Sequence, residues 1–393
     1  MRRFLILLSL ALGTLQAQAF SIKVLRIDDH LPAGNIVVDK TVGDTVFVQP
    51  DMTGHKGEWF YWAMRVRGAQ GKTIVFQFPR TCVGARGPVV SLDKGKTFFF
   101  AGGDSRTTFT WTFGPKDMDV YFYECHPYLP SDWKRFLRTL DMKMYSKGVL
   151  CRSRNGKKVP EASFGKLDGG EKHRVVITAR HHCSESMASY VMEGIIQGFC
   201  ASDETGKWLR DNVGLTVVPF VDYDGVVNGD QGKNRDPHDH NRDYLQFLYP
   251  ETKAVSELYV EKGAEIILDL HCPWIVDGVN ELLYNPLGNP EIIPDIESEN
   301  RFISLVERNA EGLPYDSSNN IPFGTSWNTN SNYADGTSCL NWARMNAPGA
   351  HVCLCFEVPF ANAGGTEVNP ESARVFGRSL AKTIEAYFHD PDR

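Results

Sequence analysis

Residues 175–199, VVITARHHCSESMASYVMEGIIQGF, give the clearest indication of the fold of this chain. The apolar run Val175–Thr178 is typical of a buried strand, and Met187–Phe199 has the apolar spacing of a helix. The polar residues 180–185 between them must therefore form the turn that joins the strand to the helix. A strand, a turn and a helix in this order predict one unit of an α/β fold.

The same alternation continues downstream to the end of the chain. Further strands are predicted at Leu215–Val218, Ile266–Leu270 and His351–Phe356, and further helices at Thr252–Glu261 and Phe302–Asn309. A last helix begins at Asn369, which can cap it, and Pro370, which suits a first turn. These elements predict an α/β/α domain with a parallel or mixed sheet over residues 126–390.

Residues 20–125 have a different sequence pattern, which predicts an all-β sandwich. Short runs rich in β-branched and aromatic residues alternate with Gly- and Pro-containing turns at a spacing of roughly ten residues. The aromatic run Trp59–Trp62 has two interpretations, a sugar-binding platform or plain core packing. Because alternate residues of a strand face opposite sides, half of this run must face a core, so packing is favoured.

Composition excludes several classes of protein. The chain has 393 residues, of which 42% are hydrophobic and 23% are charged, as in ordinary globular proteins. It is therefore not a disordered, collagen-like or coiled-coil chain. A formal net charge of −6 without a basic cluster argues against a nucleic-acid partner.

The first nineteen residues have the three parts of a signal peptide. Arg2 and Arg3 are the positive region, Phe4–Leu12 is the apolar region, and Ala17-Gln18-Ala19 fits a cleavage site. A buried N-terminal strand is the alternative. The apolar region is too short to span a bilayer and no later segment is long enough, so no stable membrane insertion is expected. These residues predict an exported protein, periplasmic or extracellular after removal of residues 1–19.

The cysteines do not predict a disulfide framework. The chain contains nine cysteines, an odd number that leaves at least one free thiol even in an oxidising compartment. No Cys-x-x-Cys pair occurs, which excludes a structural zinc ribbon.

Polar residues follow the predicted strands directly at four places. These are residues 180–185, residues 222–242, His271 and Glu357. Because active sites in open α/β sheets gather at the carboxyl ends of the strands, we expect these segments to lie close together.

Two of these segments contain the ligands of a catalytic zinc site. His182-x-x-Glu185 places an imidazole and a carboxylate at one turn, and His271 supplies the third ligand that such a site needs. His181 is an alternative ligand without a glutamate three positions later. The pair His55 and Glu58 has the same spacing, but no helix follows it, and it is assigned to an exposed turn. One zinc ion per chain is predicted.

Taken together, the motifs resemble those of zinc metallocarboxypeptidases of the carboxypeptidase A type. The resemblance covers about residues 126–390. It rests on His182-x-x-Glu185 with His271, Asp239-x-Asn241-Arg242, Tyr333 followed nine positions later by Trp342, and Phe356-Glu357. The all-β unit, with His126-Pro127-Tyr128 after it, is similar to the cytosolic carboxypeptidase subfamily and its bacterial relatives.

The resemblance implies a role for each candidate residue, and general chemistry permits these roles. His182, Glu185 and His271 would hold zinc, and Asp239 would orient the His182 ring. Glu357 would be the general base that activates the attacking water and later protonates the leaving amine. Arg235 would stabilise the oxyanion, Asn241 and Arg242 would bind the C-terminal carboxylate, and Tyr333 would close over the bound residue. Leu340 would occupy the specificity pocket and give it no charge.

The chain is therefore predicted to be an exported metallocarboxypeptidase that hydrolyses the C-terminal peptide bond of peptides or proteins through a zinc-activated water. The predicted export differs from the cytosolic relatives, so their intracellular substrates are not carried over. Arg235 and Asn241 lie six positions apart, closer than in digestive relatives. Two alternatives remain open, a cell-wall enzyme that trims muropeptide stems and a catalytically inactive exported binding protein.

Overall fold

A computed structural model describes residues 24–166 and 168–391 of the chain. The predicted signal peptide, residues 1–19, lies outside the described residues. Within them, no helix has both the length and the apolar composition needed to cross a bilayer. All nine cysteines are described, and each is a free thiol.

The N-terminal part of the chain forms two β-sheets. Their strands are β1 (Arg26–Asp28), β2 (Val37–Val42), β3 (Thr45–Gln49), β4 (Ala63–Arg67), β5 (Thr73–Gln77), β6 (Val89–Ser91), β7 (Phe99–Phe100), β8 (Thr108–Thr112) and β9 (Asp119–Tyr123). One sheet has the order β1-β4-β9-β6-β7 and the other the order β2-β3-β5-β8. All pairs are antiparallel except β3 with β5.

Aromatic side chains fill the space between these two sheets. Trp62 is fully buried and stacks on Phe109 with ring centroids 5.8 Å apart, while Phe76 and Phe122 complete the cluster. Trp62 is therefore a core residue, as the packing interpretation predicts. Strands β6 and β7 were not predicted. They contain three and two residues, respectively, which are too few to show an alternating pattern.

The rest of the chain builds a six-stranded mixed sheet with helices. Its strands are β10 (Tyr145–Arg152), β11 (Lys158–Gly165), β12 (His173–Ala179), β13 (Val213–Val218), β14 (Ile266–His271) and β15 (Val352–Glu357), and a small hairpin pairs β16 (Asn362–Ala363) with β17 (Thr366–Glu367). The order is β10-β11-β13-β12-β14-β15, in which β13, β12, β14 and β15 are parallel. The helices are α1 (Pro130–Leu137), α2 (Met187–Cys200), α3 (Glu204–Asn212), α4 (Tyr223–Asn228), α5 (Pro250–Lys262), α6 (Ile296–Asn309), α7 (Cys339–Asn346) and α8 (Pro370–His389).

Helices cover both faces of this sheet, because successive strand residues point to opposite sides. Val175 and Ile177 of β12 face the layer that contains α2, α3, α6 and α8. Val176, between them, faces the layer of α5 and α7. The predicted α/β/α mixed-sheet domain, preceded by two β-sheets, is confirmed; the boundary at residue 125 stays a prediction.

The four parallel strands all end at one edge of the sheet. β14 and β15 run in register so that their last residues, His271 and Glu357, are direct neighbours. The turn after β12 leads into α2, and the turn after β13 leads into α4. This edge therefore collects the polar segments that follow the strands.

Candidate active site

The turn between β12 and α2 is held in a fixed shape by Arg180. This residue has a positive φ of 64°, a conformation that redirects the chain out of the strand. Its side chain donates hydrogen bonds to the carbonyl of Cys183 (2.8 Å from Nε) and to the carbonyl of Tyr128 (3.1 Å from Nη1). The turn that carries His182 and Glu185 is thus tied to the segment before α1.

His182, Glu185 and His271 converge at this edge. The two oxygens of Glu185 lie 2.7 Å from Nδ1 of His182 and 2.7 Å from Nδ1 of His271. One ligand atom from each residue lies within 4.8 Å of the others, and all three residues are buried. Two imidazoles and a carboxylate with this spacing are a ligand set that suits zinc.

The far side of each imidazole contacts a second carboxylate. Nε2 of His182 lies 3.2 Å from Oδ1 of Asp239, and Nε2 of His271 lies 2.7 Å from Oδ2 of Asp269. Such a contact keeps the proton on Nε2, which leaves the Nδ1 lone pair to face a metal. Asp239 is a predicted site residue, whereas Asp269 was missed. The sequence feature that could have identified Asp269 is its position two residues before His271, which puts both side chains on the same face of the strand.

The charges of the site favour a bound cation. Burial opposes ionisation of Glu185, but His182 and His271 outweigh it and lower the pKa of that carboxyl. The carboxylate is therefore ionised and ready to bind a positive ion. These residues fit zinc.

The other candidate histidines do not join this set. His181 is fully buried, with Nδ1 2.9 Å from Asp269 and Nε2 2.6 Å from the Tyr244 hydroxyl, so both ring nitrogens are occupied. His55 is half-buried in the N-terminal part, and its Nε2 accepts a hydrogen bond from the Gly232 amide.

Glu357 faces the same cavity, which has a volume of about 330 Å³. Its Oε2 is buried and has no hydrogen-bond partner among the described residues. Burial raises the pKa of Glu357 to about 7, although nearby His271 opposes the shift. A carboxyl group with a free oxygen and a pKa near neutrality suits a general base.

Asn241 and Arg242 line the cavity on the other side of the histidines. The Asn241 side chain reaches His271 Nε2 (3.1 Å) and accepts a hydrogen bond from the amide of Cys339, the first residue of α7. Arg242 donates to the carbonyl of Asn332 (2.7 Å) and lies 4.7 Å from the ring centre of Tyr333. In the described ranges its guanidinium makes no ion pair, so its charge remains available to a ligand.

Tyr333 and Leu340 also line this cavity. The Tyr333 hydroxyl donates to the side-chain oxygen of Asn328, 3.1 Å away. Leu340, on α7, presents an apolar surface to the cavity; that this surface is the specificity pocket stays a prediction. Arg344, one helical turn further, lines the cavity too, but both its Nε and its Nη2 pair with Glu299.

The structure corrects the prediction for Arg235. This side chain does not line the cavity of the histidines; it lines a second cavity beside Asp222 and His240. It makes ion pairs with Asp222 and with Asp230, the latter at 2.8 Å. Asp222, the N-cap of α4, is fully buried and needs a cation, and Arg235 supplies it.

Lys233, two positions earlier in the same loop, does line the cavity of the histidines. Its Nζ lies 3.3 Å from Oδ2 of Asp239, the residue whose other oxygen contacts His182. Gly232, just before it, has a φ of +87° and approaches so closely that an added Cβ would lie 2.4 Å from the Cys183 amide nitrogen. The loop is thus packed directly on the metal-ligand turn.

The N-terminal part holds this loop from the other side. The buried side chain of Gln231 accepts a hydrogen bond from the Tyr61 amide (2.7 Å) and donates one to the Tyr61 carbonyl (2.5 Å). The Lys56 amide donates to the carbonyl of Asn234, 3.0 Å away. These partners are some 170 residues apart in sequence, so no local spacing could have identified Gln231.

Aromatic residues from both parts of the chain form one wall of the cavity. Trp59 and Phe60 come from the N-terminal part and meet Trp274, with ring centres 5.3 Å and 4.9 Å apart. Trp59 and Phe60 precede β4, which begins at Ala63, so they lie outside the strand that was predicted to begin at Trp59.

Comparison with known proteins identifies one family. The family described as zinc carboxypeptidase matches residues 133–347, more than half of the chain. Cytosolic carboxypeptidase 2 of Xenopus tropicalis is 30% identical over 188 residues, which are 43% of this chain and 19% of that protein. Cytosolic carboxypeptidase 6 of Mus musculus is 24% identical over 319 residues, 74% of this chain and 56% of that protein. The chain thus spans only part of these relatives.

Solved structures share the fold over nearly the whole chain. A metallo-carboxypeptidase from Burkholderia cenocepacia has a TM-score of 0.77 at 20% identity and covers 93% of this chain and 99% of its own. A metallo-carboxypeptidase from Pseudomonas aeruginosa has a TM-score of 0.71 at 18% identity and covers 92% and 98%. At these identities the likeness establishes the fold.

Proposed function

This chain belongs to the zinc carboxypeptidase family, and from that premise we propose that it is an exported peptidase that removes C-terminal residues from peptides or proteins. Membership of the family makes it a zinc-dependent peptide hydrolase. The observation that carries the finer proposal is that one cavity contains the candidate ligand set, the candidate base Glu357 and an arginine, Arg242, that makes no ion pair within the described residues.

His182, Glu185 and His271 would hold the zinc ion, with Asp239 and Asp269 orienting the two imidazole rings. When bound, zinc supplies a Lewis acid that polarises the scissile carbonyl and lowers the pKa of a coordinated water. The chain's own residues then bind the substrate, orient it and move protons.

Glu357 accepts a proton from the attacking water and later gives it to the nitrogen of the leaving amino acid. Its position beside His271 places the carboxyl next to the metal ligands, and its unpartnered Oε2 can accept that proton. A buried carboxyl with a raised pKa holds the proton well enough to return it.

Arg242 and Asn241 bind the free C-terminal carboxylate, which distinguishes a chain end from an internal amide. A planar guanidinium can form two parallel hydrogen bonds with a carboxylate. Tyr333 stacks on this guanidinium and covers the bound residue, while Leu340 gives the side-chain pocket an apolar surface.

Export rests on the residues that precede the described part of the chain. The signal-peptide pattern of residues 1–19 supports secretion to the periplasm or the extracellular space. We expect the mature protein, recovered from a secreting host, to begin at Phe20. N-terminal sequencing that finds Met1 on the recovered protein would contradict export.

The activity is tested by incubating the purified protein with a peptide library and measuring the free amino acids released. We expect C-terminal residues to be released from free-acid peptides and the protein to contain close to one zinc per chain. Release only from muropeptide stems would indicate a cell-wall enzyme. Zinc content without release from either class would indicate an inactive binding protein, and both results would overturn the proposal.

A further inference from the structure

The reaction builds negative charge on the carbonyl oxygen of the scissile bond. As the water oxygen attacks the carbonyl carbon, the π electron pair of the C=O bond moves to the carbonyl oxygen. This electron pair re-forms the C=O bond when the C–N bond breaks. A hydrogen-bond donor placed at this oxygen stabilises the transition state, and a cationic donor does so more strongly. Such a donor is therefore expected among the residues that line the cavity.

Among the described residues that line the cavity, three have cationic side chains, namely Lys233, Arg242 and Arg344. Arg344 is unsuited because its guanidinium is buried and pairs with Glu299 through two nitrogens. Arg242 lies against Tyr333, where it serves the C-terminal carboxylate. Arg235 lies in another cavity and would have to leave two ion pairs to reach this one.

Lys233 is the remaining cation in this set, and its surroundings suit a donor to the scissile carbonyl oxygen. In the described chain its Nζ has one ion-pair partner, Asp239, at 3.3 Å, so other N–H groups stay free to donate. Because Asp239 also contacts the His182 ring, the ammonium group lies beside a metal ligand. Lys233, Glu185 and Arg242 line the same cavity. The ammonium group therefore shares this space with a metal ligand and with the residue that anchors the substrate.

We propose that Lys233, and not Arg235, donates the hydrogen bond that stabilises the oxyanion on the scissile carbonyl. This inference rests on the proposed function. The lysine keeps its proton throughout; the proton that moves travels from water to Glu357 and then to the leaving amine. The loop presents this side chain because Gln231 and Gly232, just before it, are held against Tyr61 and the metal-ligand turn.

Lys233→Met tests the proposal in the full-length protein, because methionine keeps the apolar stem without the charge. Loss of one oxyanion donor lowers turnover by about 10²–10³-fold, so kcat should fall by about that factor with little change in KM. Lys233→Arg should restore part of the activity. The matched control is Arg235→Gln combined with Asp222→Asn, which removes the other cation together with its fully buried partner and deprives only the half-buried Asp230 of this ion pair; its kcat should stay within about threefold of the parent.

Binding of two inhibitors gives a second readout that does not depend on turnover. A phosphinic peptide has tetrahedral geometry and a charged oxygen at the reacting centre, whereas a substituted succinic acid binds through planar carboxylates. With Lys233→Met, affinity for the phosphinic peptide should fall in parallel with kcat, and affinity for the succinic acid should change less than about threefold. Zinc content should match the parent.

Three results would overturn the proposal. Equal loss of affinity for both inhibitors, or loss of zinc, would mean that Lys233 only braces Asp239. Near-normal kcat in Lys233→Met, with a loss in the Arg235 control, would return the role to Arg235. A parent protein that binds neither inhibitor and cleaves no peptide would instead refute the proposed function itself.

Discussion

Replacing Arg242 by methionine tests what makes this protein act on chain ends. A guanidinium group has five N–H donors. Two of them are used within the protein, on the carbonyls of Asn332 (2.7 Å) and Asn241 (2.6 Å). The remaining three are free for a ligand, and the side chain lines the cavity without a carboxylate partner in the described ranges.

The size of the effect follows from these contacts. A hydrogen bond to a charged group contributes about 1.5–3 kcal/mol, and two bonds from one guanidinium do not simply add. We therefore expect kcat/KM on free-acid peptides to fall by about 10- to 100-fold, since about 1.4 kcal/mol corresponds to a factor of ten. The Asn332 carbonyl that loses its donor is half-buried, but the Asn241 carbonyl is buried, so the loss of stability should be about 1–3 kcal/mol.

The assay compares a free-acid peptide with the same peptide carrying a C-terminal amide. The parent should cleave the amide at least ~10-fold more slowly, because the amide lacks the charge that Arg242 binds. Arg242→Met should lower the rate on the acid strongly and the rate on the amide little, with zinc content unchanged. Equal rates of the parent on acid and amide, or an equal loss on both in the variant, would refute this reasoning.

Further substitutions test metal binding, general-base catalysis and the pH dependence of stability one at a time. His182→Ala should remove most of the bound zinc, whereas His55→Ala should leave the zinc content at the parent level; metal analysis that finds equal losses would place the site elsewhere. Glu357→Gln should lower kcat by ~10²–10⁴-fold with zinc retained, and near-normal turnover would make the residue structural. Glu124 is buried without a hydrogen-bond partner among the described residues, and burial raises its pKa to about 8. Because this folded-state pKa lies above that of the unfolded chain, the stability it contributes is present at low pH and is lost as pH rises from about 4.5 to about 8. The free energy of unfolding of Glu124→Gln, measured in urea and compared with that of the parent, should therefore be more favourable at pH 8.5 than at pH 5 by on the order of a few kcal/mol. If the difference between variant and parent does not change with pH, the Glu124 carboxyl is solvated.

The candidate metal ligands and the candidate base could be predicted from the sequence because the fold restricts them to one edge of the sheet. His182, His271 and Glu357 each follow an apolar run, and the carboxyl ends of parallel strands must share one edge of the sheet. Once the strands are identified, their convergence follows from topology. Helix α8 was equally predictable, since Asn369 accepts hydrogen bonds from two amides of its first turn.

The loop of residues 230–236 was not predictable in the same way. Asn234 has a positive φ of 52°, which turns the chain between Lys233 and Arg235 and sends their side chains into different cavities. Which of the two faces the histidines depends on a buried aspartate after β13 and on Tyr61, far away in sequence. Motif spacing carries no information about such contacts, so it could not show that Arg235 lies outside the cavity of the histidines.

The attachment of Gln231 to the backbone of Tyr61 bears on how this protein could be divided or recombined. A fragment that begins after the N-terminal sheets would lack the backbone amide and carbonyl that Gln231 binds, and the amide of Gly232 would lose the His55 ring. Such a fragment keeps every metal ligand but loses the support of the loop behind them. The two parts are therefore not interchangeable modules: a graft of this peptidase unit onto another N-terminal domain needs residues 55–61 to travel with it.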